Sequence, residues 1–105
     1  MFSFENKTFI WSEEKNRINV KKHGLSFQEA VPVFLDPYLV IRYDEAHSTQ
    51  EESRWKGIGA IGNDLLLSVI FVEVKGNEIR LVSARKASKK EKEDYSENIS
   101  QIFGS

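Results

Sequence analysis

Hydrophobic spacing along this chain changes period twice, from helical to alternating and back to helical. After a short strand expected at residues 9–11, "FIW", Ser12 stands where a helix N-cap belongs, and Glu13 and Glu14 occupy the first turn, where they suit the helix dipole. This helix is expected to run to about His23, with Gly24 as the permissive closing position. On a helical wheel Trp11, Ile18 and Leu25 fall close together and should mark its buried side. Lys15 and Lys22 lie on the margin of that side, with Asn19 beside them and His23 further round. A second helix opens on a capping box formed by Ser26 and Glu29, with Leu25 and Ala30 as its hydrophobic staple. Phe27, Ala30, Val31 and Phe34 recur at helical spacing, Pro32 should kink or shorten the helix, and Asp36-Pro37 ends it.

From residue 38 the pattern is that of strands. "YLVIRY" (38–43), "SRWKGIGAI" (53–61), "LLLSVIFVEV" (65–74) and "EIRLVSAR" (78–85) are separated by the polar loop "DEAHSTQEE" and by the turn signals "GND" and "KGN". Gly57 and Gly59 point to a bulge or a close backbone contact. From about Ser88 helical spacing returns, with Tyr95, Ile99, Ile102 and Phe103 as the apolar stripe. Consecutive strands joined by short turns must be antiparallel, because parallel neighbours need long crossovers. The expected fold is a two-layer α+β domain in which helices cover one face of a mainly antiparallel sheet of about four strands.

Composition adds bounds. At 105 residues the chain is one domain, residues 1–105, with 40% hydrophobic and 30% charged residues, as in soluble globular proteins. The absence of cysteine excludes disulfides and a thiolate nucleophile. "MFSFENKTF" lacks the basic start and apolar run of a signal peptide, and the ten apolar-rich residues at 65–74 are about half of a membrane span, so a soluble, cytoplasmic protein without membrane contact is expected. The net charge is −1, yet residues 75–90 hold six lysines and arginines against Glu78 alone, whereas residues 44–54 carry Asp44, Glu45, Glu51 and Glu52 against Arg54. Such a split makes a local positive field without a basic total.

The candidate chemistry follows from these placements. His23 belongs to the last turn of the first helix, where the helix field suits a cationic ring and a proton-transfer role, although capping alone would also explain it. The stems of Lys15 and Lys22, two turns apart, can cross apolar surface while both ammonium groups reach one anion; simple snorkelling gives the same pattern. His47 sits in the acidic loop as a solvated residue, and Asp44, Glu45 and His47 make a poor metal set with no H-E-x-x-H or cysteine pair to support it. Arg80 and Arg85 are five positions apart, so an uninterrupted strand would point them to opposite faces. Either guanidinium offers a rigid fork for a phosphate. Gly57-Ile58-Gly59 is not a phosphate loop of the Walker type, and no G-x-S-x-G elbow occurs, which sets aside nucleoside triphosphate chemistry and serine hydrolysis.

Taken in order, "FIWSEEKNRINVKKHGLSFQEAVPVFLDP", "EESRWKGIG" and "IRLVSARKASKKEKEDY" resemble the BrnT family of type II toxins, within the RelE-like superfamily. The pattern rests on Lys15, Asn19, Lys22-His23-Gly24, Phe27, Ala30, Phe34, Asp36, Glu52, Arg54, Ser83-Ala84-Arg85 and Ala87. It departs at Ser12, where the family usually has an acidic residue, and at Pro32. The resemblance implies a RelE-like ribonuclease toxin domain that cleaves RNA without a metal or other cofactor and inhibits translation. The implied partner is a BrnA-like antitoxin, through which alone the protein would meet DNA. It also implies roles: His23 transfers a proton, Arg80 and Arg85 hold the scissile phosphate with Lys22, and Glu52 orients a basic group or acts as base. Lys15, Arg54 and Lys86 would bind the substrate backbone. The competing expectation is a non-catalytic domain that uses the same basic edge to bind nucleic acid or an antitoxin.

Overall fold

In the computed structural model, which describes residues 4–104, the elements follow the periods read from the chain. They are β1 (Thr8–Ile10), α1 (Glu13–His23), α2 (Phe27–Ala30), β2 (Val40–Tyr43), β3 (Trp55–Ile61), β4 (Leu65–Val74), β5 (Glu78–Lys86) and α3 (Lys89–Phe103). Met1 to Ser3, the start of the N-terminal stretch read above, lie outside the described residues. Ser12 caps α1 by accepting from the Lys15 amide, and Gly24 closes it at φ 71°. The Ser26–Glu29 capping box forms. Pro32 shortens the second helix as expected: α2 stops after four residues and Val31–Leu35 tightens into a 3-10 turn with the proline at its start, where a missing N–H matters least.

The sheet has five strands in the order β1-β5-β4-β3-β2, one more than expected. Strands β2 to β5 form an antiparallel meander. The extra neighbour is β1, which pairs parallel to β5 over Thr8↔Glu78 to Ile10↔Arg80. Three residues carry too little alternation to announce a pairing partner.

One face of the sheet holds the main core. Phe27, Ala30, Val33 and Phe34 pack on Leu67, Val69, Phe71, Ile79, Leu81 and Ala84, and the Phe34 and Phe71 rings meet edge to face at 5.1 Å. Gly59 is what lets the 3-10 turn seat on β3, since a Cβ there would lie 2.9 Å from the Val33 carbonyl oxygen. Of the two expectations for the β3 glycines, close contact is the one realised. The third helix lies on the opposite face: Tyr95 and Ile99 of α3 pack with Val40, Ile58 and Leu66. The helices therefore do not all share one side, and α3 adds partial cover where the sheet would otherwise be open. Its apolar stripe is only half used, because Ile102 is 53% and Phe103 71% exposed.

Of the three residues that the wheel places on the buried side of α1, Trp11 and Leu25 pack on the core and Ile18 does not. Ile18 is 56% exposed, whereas Asn19 is buried. The Asn19 amide donates to the carbonyls of Leu25 (2.8 Å) and Ala84 (2.9 Å), and its oxygen accepts from the Ala84 N–H (3.0 Å). Asn16 accepts from the Phe27 N–H at 2.8 Å. β1 covers the outer edge of β5 only as far as Arg80, so the backbone at Ala84 needs another partner, and the asparagine supplies it. The helix is held by side-chain amides rather than by an apolar stripe. Asn19→Ala should lower stability by about 2 kcal/mol, three buried hydrogen bonds being lost and the Ala84 N–H orphaned. Chemical denaturation measures it, and an unchanged midpoint would show that the amide clasp contributes nothing.

Candidate active site

A β-bulge decides how the basic residues are arranged. β4 and β5 pair in register from Leu67↔Lys86 to Ile70↔Ser83, then resume at Phe71↔Leu81, which leaves Val82 as the extra residue. Opposed residues share a face. Arg85 opposes Ser68, and Arg80 opposes Val72, and both partners have the same parity on β4. The bulge thus undoes the odd spacing, and the two arginines rise from the same face rather than from opposite ones. Lys56, opposite Ile70, and Arg42, opposite Lys56, belong to this face too. It is the face that α3 covers at its β2–β3 side. Toward β5, the side chains of Arg80 and Arg85 remain 40% and 42% exposed.

Two carboxylates organise these cations. Glu52 accepts from Arg80 Nη2 at 2.6 Å and from Arg54 Nε at 3.2 Å, so it joins the loop before β3 to β5. The Arg80 hydrogen bond holds the Glu52 carboxyl below its ordinary range, outweighing burial, and Arg54 adds to the effect. A carboxylate so paired is a poor proton acceptor and a good orienting group. Beside it opens a cleft of about 530 Å³ lined by Glu52, Trp55, Val72, Lys75 and Arg80. The second carboxylate, Glu91, is buried and completes the capping box of α3 with Ser88. Its oxygens accept from Arg85 Nη1 (2.8 Å) and Nη2 (2.9 Å), from Lys56 Nζ (3.0 Å) and from Ser68 Oγ (3.2 Å). Burial pushes the Glu91 carboxyl up, but the hydrogen bonds from Arg85, the Ser88 amide and Lys56 win and hold it far below the usual range. Arg85 Nη1 also donates to the Lys86 carbonyl at 3.1 Å, so both terminal nitrogens are engaged and Nε has no hydrogen bond among the described residues.

The residues of α1 gather elsewhere. Lys15, Lys22 and His23 line a separate cleft of about 290 Å³ with Ile18, Asn19, Val82 and Ser83. Neither guanidinium lines it. Ser83 is the point of contact between the two regions, because it opposes Ile70 and so shares the face of Arg80 and Arg85. Lys86 opposes Leu67 and projects to the other face from Arg85. His47 Nδ1 donates to Asp44 Oδ2 at 2.8 Å. Three residues of this site, Lys56, Ser83 and Glu91, escape a reading for phosphate ligands, although the Ser88–Glu91 spacing is itself a capping-box signal.

Residues 11–91 match the family model of the ribonuclease toxin BrnT of type II toxin–antitoxin systems. The chain belongs to the BrnT family. Ribonuclease toxins of this family come with an RNA substrate and an antitoxin partner. The fold agrees: the crystal structure of the Brucella abortus ribonuclease toxin BrnT superposes with a TM-score of 0.60 at 28% identity, covering 80% of this chain and 100% of that one. No curated protein matches the sequence significantly. Among the described residues no helix is long and apolar enough to cross a membrane. The BrnT match ends at Glu91, so the carboxylate that anchors Arg85 is its last residue and most of α3 lies beyond it.

Proposed function

We propose that this protein is a metal-independent endoribonuclease that cleaves RNA on the uncovered part of the sheet and thereby inhibits translation. What carries the proposal is the bulge between β4 and β5, which sets Arg80 and Arg85 on one face with Lys56. Preoriented cations aimed at a phosphate stabilise the extra charge that develops as the 2'-hydroxyl attacks, and this is a large catalytic lever. In this reading Arg80 and Arg85 hold the scissile phosphate and Glu52 fixes Arg80 and Arg54 rather than accepting a proton. Lys15 and Lys22 bind the backbone flanking it, and Arg54 contributes field. Lys86, on the opposite face, would serve only a strand that wraps the sheet edge. A proton-transfer role for His23 is a second reading, favoured by Ser83, which belongs to the arginine face and lines the His23 cleft.

The single domain, residues 1–105, acts with a BrnA-like antitoxin as its neutralising partner in the cytoplasm. Partner-free protein incubated with RNA and EDTA should give fragments ending in 2',3'-cyclic phosphate. Arg85→Ala should remove most of that activity, and His23→Ala separates the two readings of the histidine. RNA retained tightly but left intact by the wild type would favour the non-catalytic binding domain instead.

A further inference from the structure

We propose that the cleft beside Arg80 is a subsite for guanine. Trp55 stacks on the base next to the scissile phosphate, and Glu73 and Lys75 read its edge; this rests on the ribonuclease function proposed above. Unequal strand lengths make the cleft. β3 begins at Trp55, opposite Phe71, whereas β4 runs on to Val74 and stays paired with β5 as far as Val74↔Glu78. Val72 to Val74 therefore have no β3 neighbour, which leaves a gap of about 10 Å at the usual rise per residue. The resulting cleft of about 530 Å³ is within the size range of small-ligand sites.

Where β3 is missing, both faces of the sheet reach the gap. Val72 and Val74 share the face of Arg80, which Glu52 grips at the phosphate end of the cleft. Trp55 and Glu73 belong to the other face: Trp55 opposes Phe71, and Glu73 stands two positions beyond Phe71. Diagonal neighbours of this kind sit about 7–8 Å apart, so a planar base laid on the indole brings its edge to the carboxylate. The indole is held in place, because it packs against the main core and the Tyr43 ring meets it edge to face at 5.2 Å. Trp55, Glu73, Lys75 and Arg80 all line this one cleft.

The chemistry of the wall selects the base. Stacking on an indole tolerates any base, so the choice falls to the polar groups. Glu73 and Lys75 are exposed, and among the described residues neither side chain has a hydrogen bond or ion pair, whereas Glu52 is committed to Arg80 and Arg54. An ionised carboxylate only accepts, and guanine alone offers it two adjacent donor groups, N1–H and the N2 amine, on one edge. Guanine O6 and N7 accept from an ammonium such as that of Lys75. Each of the other three bases brings a single donor group to that edge.

The test uses the purified full chain in EDTA with short RNAs that carry guanine, inosine or adenine on both sides of one cleavable linkage. Guanine RNA should be cleaved with kcat/KM about 10- to 100-fold above adenine RNA, and inosine, which lacks the N2 amine, should fall between them. Glu73→Gln should erase most of that preference. A second readout needs no cleavage: GMP, and not AMP at the same concentration, should shift the Trp55 indole N–H resonance. Equal cleavage of guanine and adenine RNA overturns the subsite and leaves the ribonuclease reading intact, as does a Trp55 resonance that GMP does not move. A preference lost in Glu51→Gln but kept in Glu73→Gln overturns the assignment of the base edge to Glu73. Wild-type protein that leaves RNA uncut but binds GMP selectively at Trp55 supports the subsite and overturns the ribonuclease reading.

Discussion

Replacing Arg80 with alanine is expected to lower RNA cleavage about 10²- to 10³-fold, the usual loss when one preorganised donor to a developing anion is removed. The size follows from what Arg80 is in the structure. It is a guanidinium held at 2.6 Å by Glu52 on the face that also carries Arg85 and Lys56, and its side chain is 40% exposed. Fold and function separate cleanly at this position, because an exposed ion pair contributes at most about 1 kcal/mol to stability. The unfolding midpoint should therefore move little while kcat falls. Arg80→Lys should recover only part of the rate, since an ammonium keeps the charge but loses the planar fork that meets Glu52 and a phosphate together. Single-turnover cleavage by the three proteins, beside their thermal unfolding curves, measures both halves. Equal rates for wild type and Arg80→Ala would remove this face from the chemistry.

The second large effect concerns Glu91 and stability. Its carboxylate is almost fully buried and satisfies Arg85, Lys56, Ser68 and the Ser88 amide. Glu91→Ala leaves two cations facing each other across a vacated site and uncaps α3. A loss of about 3 kcal/mol is expected, at the lower end for a broken buried pair because both cations are partly exposed. For a domain of this size that is roughly 10–20 °C in Tm. The pH dependence has a definite sign. The folded-state pKa of Glu91 is depressed below its ordinary 4.5, so between those two values the unfolded chain binds more protons than the folded one. The stabilisation is fully present above about pH 5 and is lost progressively as the pH falls through the ordinary glutamate range toward the folded value. Urea titrations from pH 7 down to pH 3 should show a steep acid loss in the wild type and a shallower one in Glu91→Gln. Parallel curves for the two would mean that Glu91 is not the group that titrates.

Local chemistry was the legible part of this chain. Ser12, Gly24, the Ser26–Glu29 box and Pro32 each act on their own few residues, and each does in the structure what its chemistry dictates. The meander was legible too, because short turns leave antiparallel pairing as the only choice. What depends on a partner strand was not. The bulge at Val82 has no glycine or proline to mark it, yet it moves Arg80 across the sheet relative to Arg85. Likewise Ile18 looked buried because helices usually attach through apolar stripes, whereas α1 attaches through Asn16 and Asn19 to open backbone groups. The pairing of His47 with Asp44 escaped for a related reason: three residues apart in a loop, they meet only because Glu45–His47 winds into a 3-10 turn.

The central claim is that RNA lies across the face where the bulge has gathered Arg80 and Arg85. A backbone-amide NMR titration with a 2'-O-methyl RNA, which binds but has no free nucleophile, tests it most directly. Shifts concentrated at Lys56, Ile70, Arg80, Ser83 and Arg85 are the predicted result. Unmoved resonances there, with shifts confined to the outer side of α1 around Ile18 and Val20, would contradict it.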